Sequence, residues 1–109
     1  MSYNGYTSYQ TWAVALWIDN NRDSYDERNT LVSETWEDAV DDSVFTRSQN
    51  ARYDLADTLK AWVQEAMIPD LGATLASDLL TAALSEVNWL ELADTWLADA
   101  EADYERMDK

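Results

Sequence analysis

Gly5, Pro69 and Gly72 are the only strong turn formers in this chain, two glycines and one proline in 109 residues. A sheet needs a tight turn every few residues, and such turns draw on Gly, Asn and Pro for their special backbone angles. Helices need only caps, and here apolar residues recur at three- and four-residue intervals nearly throughout. The expected fold is therefore all-α, a compact bundle of about five helices in one domain spanning residues 1–109.

The first helix is expected over residues 8–19, opened by Thr7 with Gln10 at capping-box spacing. Tyr9, Trp12, Ala13, Leu16 and Trp17 make its wide apolar face, and Val14 and Ile18 add a second stripe. A helix apolar nearly all round belongs at the centre of a bundle or under a partner or dimer mate. A second helix, residues 25–42, follows a Ser24-x-x-Glu27 capping box and would bury Leu31, Val32, Thr35, Trp36, Ala39 and Val40. The third, residues 47–67, presents Leu55, Leu59, Trp62, Val63 and Ala66 and stops before Pro69, which removes a helix hydrogen bond. Residues 68–72 form the clearest break. A fourth helix, 74–84, carries Leu75, Leu79, Leu80 and Ala83. The fifth, 89–107, is capped by Asn88 with Glu91 and turns Leu92, Ala93, Trp96, Leu97, Ala100 and Tyr104 inward.

With 47% hydrophobic residues, six Trp and six Tyr, the chain can build one core. Its chemistry is narrower. Without His or Cys it has no imidazole base, no thiolate and no ordinary zinc ligand set. No carboxylate pair is singled out by spacing, so a non-enzymatic protein without cofactor is expected. Asp19-x-Asn21-x-Asp23 copies the start of a calcium-binding EF-hand loop, yet Ser24 stands where Gly is needed and Thr30 where a bidentate Glu is needed. That segment reads as a polar connector, not a metal site. The N-terminus lacks a basic residue ahead of an apolar run, and no stretch approaches the ~18 apolar residues of a membrane span. A cytoplasmic location follows as the expectation, with no membrane partner.

The strongest pointer to function is charge. Against 22 Asp and Glu stand seven Lys and Arg, a formal net charge of −15. Such a surface repels nucleic acid and attracts the proteins that bind it. Glu27, Glu34, Glu37, Asp38, Asp41 and Asp42 on the second helix, and Glu91, Asp94, Asp99, Glu101, Asp103 and Glu105 on the fifth, form two rows each about 21–22 Å long at 1.5 Å per residue. One DNA strand carries a charge every ~3.4 Å, a comparable density. These rows are candidate phosphate surrogates, directed at the basic nucleic-acid-binding surface of a host defence complex such as a nuclease or CRISPR effector. The chain itself is not expected to bind nucleic acid, because its tryptophans lack the basic groove that single-strand binders combine with aromatics. A second reading competes. Asp outnumbers Glu by 14 to 8 and lysine occurs only at Lys60 and Lys109, the bias of proteins adapted to a salt-loaded cytoplasm, whose acidity only keeps a structural or interaction module hydrated.

The stretch Asn4-Gly5-Tyr6-Thr7-Ser8-Tyr9-Gln10-Thr11-Trp12-Ala13-Val14-Ala15-Leu16-Trp17-Ile18-Asp19-Asn20 resembles the opening of a family of small acidic proteins encoded by bacteriophages, plasmids and some bacterial and archaeal genomes. Asn88-Trp89-Leu90-Glu91-Leu92-Ala93 is similar to a second block of that family, N-W-x-E-[IL]-A. Ala13 departs from the Asn often found there. The resemblance implies a mobile-element setting inside a bacterial or archaeal host, where small acidic helical proteins often inhibit host nucleases. It brings no catalytic residues.

Because about fifteen uncompensated negative charges repel in the folded state, NaCl should raise the melting temperature. A gain that continues into the molar range marks salt adaptation, whereas a plateau near a few tenths molar marks a protein of ordinary cytoplasm. A flat thermal-denaturation profile against salt excludes both accounts of the charge.

Overall fold

A computed structural model describes residues 3–107, the side chains of 103–107 excepted. Five α-helices follow in order: α1 Tyr9–Asn20, α2 Arg22–Asp38, α3 Arg47–Trp62, α4 Leu75–Leu84 and α5 Trp89–Met107. A π-helical segment, Val63–Met67, extends α3. The only strand-like pairing among the described residues is an isolated bridge between Tyr3 and Tyr6. It closes the N-terminal turn, where Asn4 and Gly5 both adopt positive φ. The architecture is the all-α bundle that the helical periodicity predicts, and no described helix is long and apolar enough to cross a membrane.

Each helix start has its own chemistry. Ser8, not Thr7, caps α1, accepting from the Thr11 amide at 3.1 Å. The Ser8 hydroxyl donates to the Glu86 carbonyl, so the Thr11 hydroxyl donates to Ser8 Oγ at 2.7 Å and accepts from the Asn88 amide at 2.8 Å. This relay ties the start of α1 to the start of α5. Asn21 ends α1 and caps α2, accepting from the amides of Asp23 and Ser24. The expected cap at Ser24 and start at Tyr25 are therefore corrected to a cap at Asn21 and a start at Arg22. Ser24 is buried, and its hydroxyl donates to the Ile18 carbonyl at the end of α1. Thr46 and Gln49 form a reciprocal capping box at α3, Thr74 caps α4, and Asn88 Oδ1 accepts from the Glu91 amide at α5.

The core is contributed chiefly by α3 and α5, with α2 and α1 packed on them. Leu55, Leu59 and Val63 meet Leu92, Ala93, Trp96 and Leu97, joined by Val32, Ala15 and Ile18. Burying such a layer is the main favourable contribution to folding, at about 25 cal/mol per Å² of apolar surface. Arg28 is also buried. Its guanidinium lies 4.7 Å from the Trp96 ring and 4.6 Å from the Tyr25 ring, and Nη1 donates to Asp19 at 2.8 Å.

Two expected faces are corrected. On α1 the inward residues are Thr11, Ala15 and Ile18, whereas Tyr9, Leu16 and Trp17 face out, Trp17 being 71% exposed. Apolar residues surround this helix almost evenly, so its orientation is set by close packing at Ala15 and by the Thr11 hydrogen bonds. α4 buries none of its side chains, and Leu75 and Leu79 are 75% and 62% exposed. On α2, Val40 falls beyond the helix end and is exposed, and Ala66 in the π-helical segment is exposed as well.

Trp96→Ala and Leu55→Ala should each cost about 3–5 kcal/mol. Trp36→Ala and Trp62→Ala, at half-buried positions, should cost clearly less. Chemical denaturation of the four variants measures the ranking; equal losses across all four contradict the packing described.

Candidate functional site

At about 100° per residue, Asp23, Asp26, Glu27, Glu34, Glu37 and Asp38 fall within about 120° of the α2 circumference, opposite the buried face of Ser24, Arg28 and Val32. All six are exposed. They run about 22 Å along the axis, close to one charge per ~4 Å. Hydrophobic burial of the other face is what aligns them: once Arg28, Val32 and Ala39 turn inward, the polar positions can only line the outside. Arg22 approaches Asp26 at 3.9 Å across solvent, a contact too exposed to neutralise the row.

Glu27, Glu34, Glu37 and Asp38 of the expected row thus share one surface. Asp23 and Asp26 extend it: Asp23 precedes the expected helix start and is brought in by the Asn21 cap, whereas Asp26 lies inside the expected helix, one residue before Glu27, and its place on this face follows from helical spacing alone. Asp41 and Asp42 leave it. The helix ends at Asp38, and both carboxylates organise the loop of residues 39–46. Asp41 accepts from the Arg47 amide at 2.6 Å, and Asp42 accepts from the amides of Val44 and Phe45 and from the Asn50 side chain. Arg47 in turn donates from Nε and Nη2 to the Trp36 carbonyl and covers the Trp36 ring at 4.2 Å. A cation there satisfies one of the last carbonyls of α2 and its dipole.

The α5 row is put to tertiary use. Glu91 accepts from the Thr7 amide and hydroxyl at 3.1 and 3.0 Å, pinning the N-terminal segment to α5. Asp94 pairs with Arg52 of α3 at 2.7 Å, and Glu101 accepts from Ser48 at 2.5 Å. Asp99 is exposed. The side chains of Asp103, Tyr104 and Glu105 lie outside the described residues. In the Asp19–Asp23 connector, Asp19 holds Arg28 and Asn21 caps α2, so those side chains serve helix joining. Burial, followed by the charges of Asp19 and Glu91, raises the pKa of the Tyr6 phenol.

A family model described as "Family of unknown function (DUF7249)" matches residues 1–93. The match spans all of α2 and reaches the first turn of α5. No curated protein and no solved structure matches.

Hydrogen bonds from the Phe45 and Val44 amides, then from Asn50, hold the Asp42 carboxyl below its ordinary pKa. A depressed folded-state value means that this stabilisation is complete above the unfolded value of about 3.9 and is lost as pH falls through the folded one. Carboxyl NMR titration should give Asp42 a midpoint below 3.8. Amide exchange at Val44 and Phe45 should accelerate as that midpoint is crossed, and exchange indifferent to pH there contradicts the assigned role.

Proposed function

We propose that this chain, which belongs to the family of unknown function DUF7249, is a non-enzymatic acidic binding protein whose α2 face stands in for a nucleic-acid strand. The supporting observation is the alignment of Asp23, Asp26, Glu27, Glu34, Glu37 and Asp38 on one exposed helix surface. Their partner is a basic, nucleic-acid-binding surface, with a host defence nuclease or CRISPR effector as the proposed class. Rigid presentation on a packed helix spares the partner the cost of ordering a flexible polyanion. The α5 acids Glu91, Asp94 and Glu101 act as structural links within the fold in this reading.

Salt adaptation remains the second reading, favoured by acids that are also exposed away from α2, among them Asp54 and Asp57 on α3 and Asp78 on α4. The two readings differ in what charge reversal does. Replacing Glu27, Glu34 and Asp38 together by Lys should weaken the complex with a purified DNA-dependent defence nuclease by several kcal/mol, because like charges then face each other. Reversing Asp54 and Asp57 should matter much less. In a competition assay the chain should displace duplex DNA from the nuclease, less effectively as salt rises. Simultaneous, undiminished binding of DNA and of this protein ends the surrogate reading.

A further inference from the structure

Between α1 and α4 runs an apolar groove of about 370 Å³, lined by Tyr9, Ala13 and Trp17 on one side and by Ile68, Leu80 and Leu84 on the other. No charged side chain lines it. Apolar surface continues beyond it along α4 to the exposed Leu75 and Leu79. Soluble proteins seldom leave so much contiguous apolar surface open without a use for it.

We propose that this groove is a docking site for a basic amphipathic helix of a partner protein. The inference goes beyond the α2 reading, uses different residues and needs only the sign of the surrounding charge. The shape of the occupant follows from hydrogen bonding. Most of the groove lining comes from α1 and α4, whose interior backbone groups are paired within the helices, with Ile68 and Val87 added from the connecting segments, and the described residues offer no open sheet edge. An occupant must therefore satisfy its own backbone, which a helix does. Such a helix places apolar anchors at i, i+3, i+4 and i+7 into the groove.

Charge complementarity selects the partner. The chain as a whole carries −15, and Glu65 and Asp70, both exposed, flank the Met67–Ile68 wall along the chain. The cation nearby is Lys60, which lines the adjoining cavity with Ile68 and Leu84. A second copy of this chain, itself at −15, and an anionic bilayer are both repelled by so negative a molecule, whereas lysines or arginines flanking an apolar stripe are attracted to it.

The test uses three synthetic 18-residue peptides: one with a leucine stripe at helical spacing and lysine elsewhere, one of the same composition with the stripe scrambled, and one with the stripe kept and glutamate replacing lysine. Binding is followed by calorimetry and by the NMR signals of the tryptophan indoles. The striped lysine peptide should bind and shift Trp17, with the other two at least tenfold weaker. Trp17→Ala, at an exposed position that folding does not need, should weaken binding about tenfold or more. Val44→Ser, 74% exposed on the 39–46 loop, should leave it unchanged. Equal binding of the scrambled peptide, shifts confined to α2, or an affinity indifferent to Trp17→Ala would each overturn the proposal. So would a concentration-dependent dimer in sedimentation that Trp17→Ala abolishes, since the groove then belongs to a second copy.

Discussion

The bundle is organised around one buried cation. Arg28 enters the core from α2, lies against Trp96 of α5 and reaches Asp19 at the end of α1. A buried charge is tolerated only when it is paired and hydrogen-bonded, and its loss of one partner leaves an uncompensated ion. Here Nη1 is held by Asp19, Nε by Asn29, and the ring faces of Trp96 and Tyr25 take the rest of the guanidinium surface. Lysine would not replace it, because a compact ammonium neither stacks on both rings nor forks to two acceptors. Three helices are placed in register by a single side chain.

The same logic governs the other arginines. Arg47 caps α2 and covers Trp36, while Arg52 joins α3 to Asp94 of α5. Among the arginines whose side chains are described, Arg28, Arg47 and Arg52 lie at helix junctions and Arg22 is exposed beside Asp26, so carboxylates dominate the outer surface. The acidity of α2 is therefore sharper than composition alone conveys. Acids near an arginine, an amide or a hydroxyl, such as Asp19, Asp42 and Glu91, belong to the architecture. Those on the α2 outer face are exposed along one side of the helix.

The two proposed binding surfaces differ in character. α2 offers ordered negative charge, which steers encounter and discriminates by sign. The α1–α4 groove offers apolar contact area on a strongly negative molecule. Steering charge and an apolar anchor together are the elements of a protein-binding surface.

Helix number, the stop before Pro69, and the starts of α3, α4 and α5 were legible in local chemistry, because periodicity and Asn88 act over a few neighbouring residues. The acidic stripe of α2 was partly legible for the same reason: Glu27, Glu34, Glu37 and Asp38 keep helical spacing wherever the helix begins. Sequence alone did not decide which side of α1 faces inward, since apolar residues lie all round it and only the Thr11 hydrogen bonds and the close approach at Ala15 break the tie. Nor did it separate Asp41, Asp42, Glu91 and Asp94 from the acids of the α2 outer face. A carboxylate looks the same in sequence whether it meets water, an amide or an arginine, and that difference exists only once distant segments have been brought together.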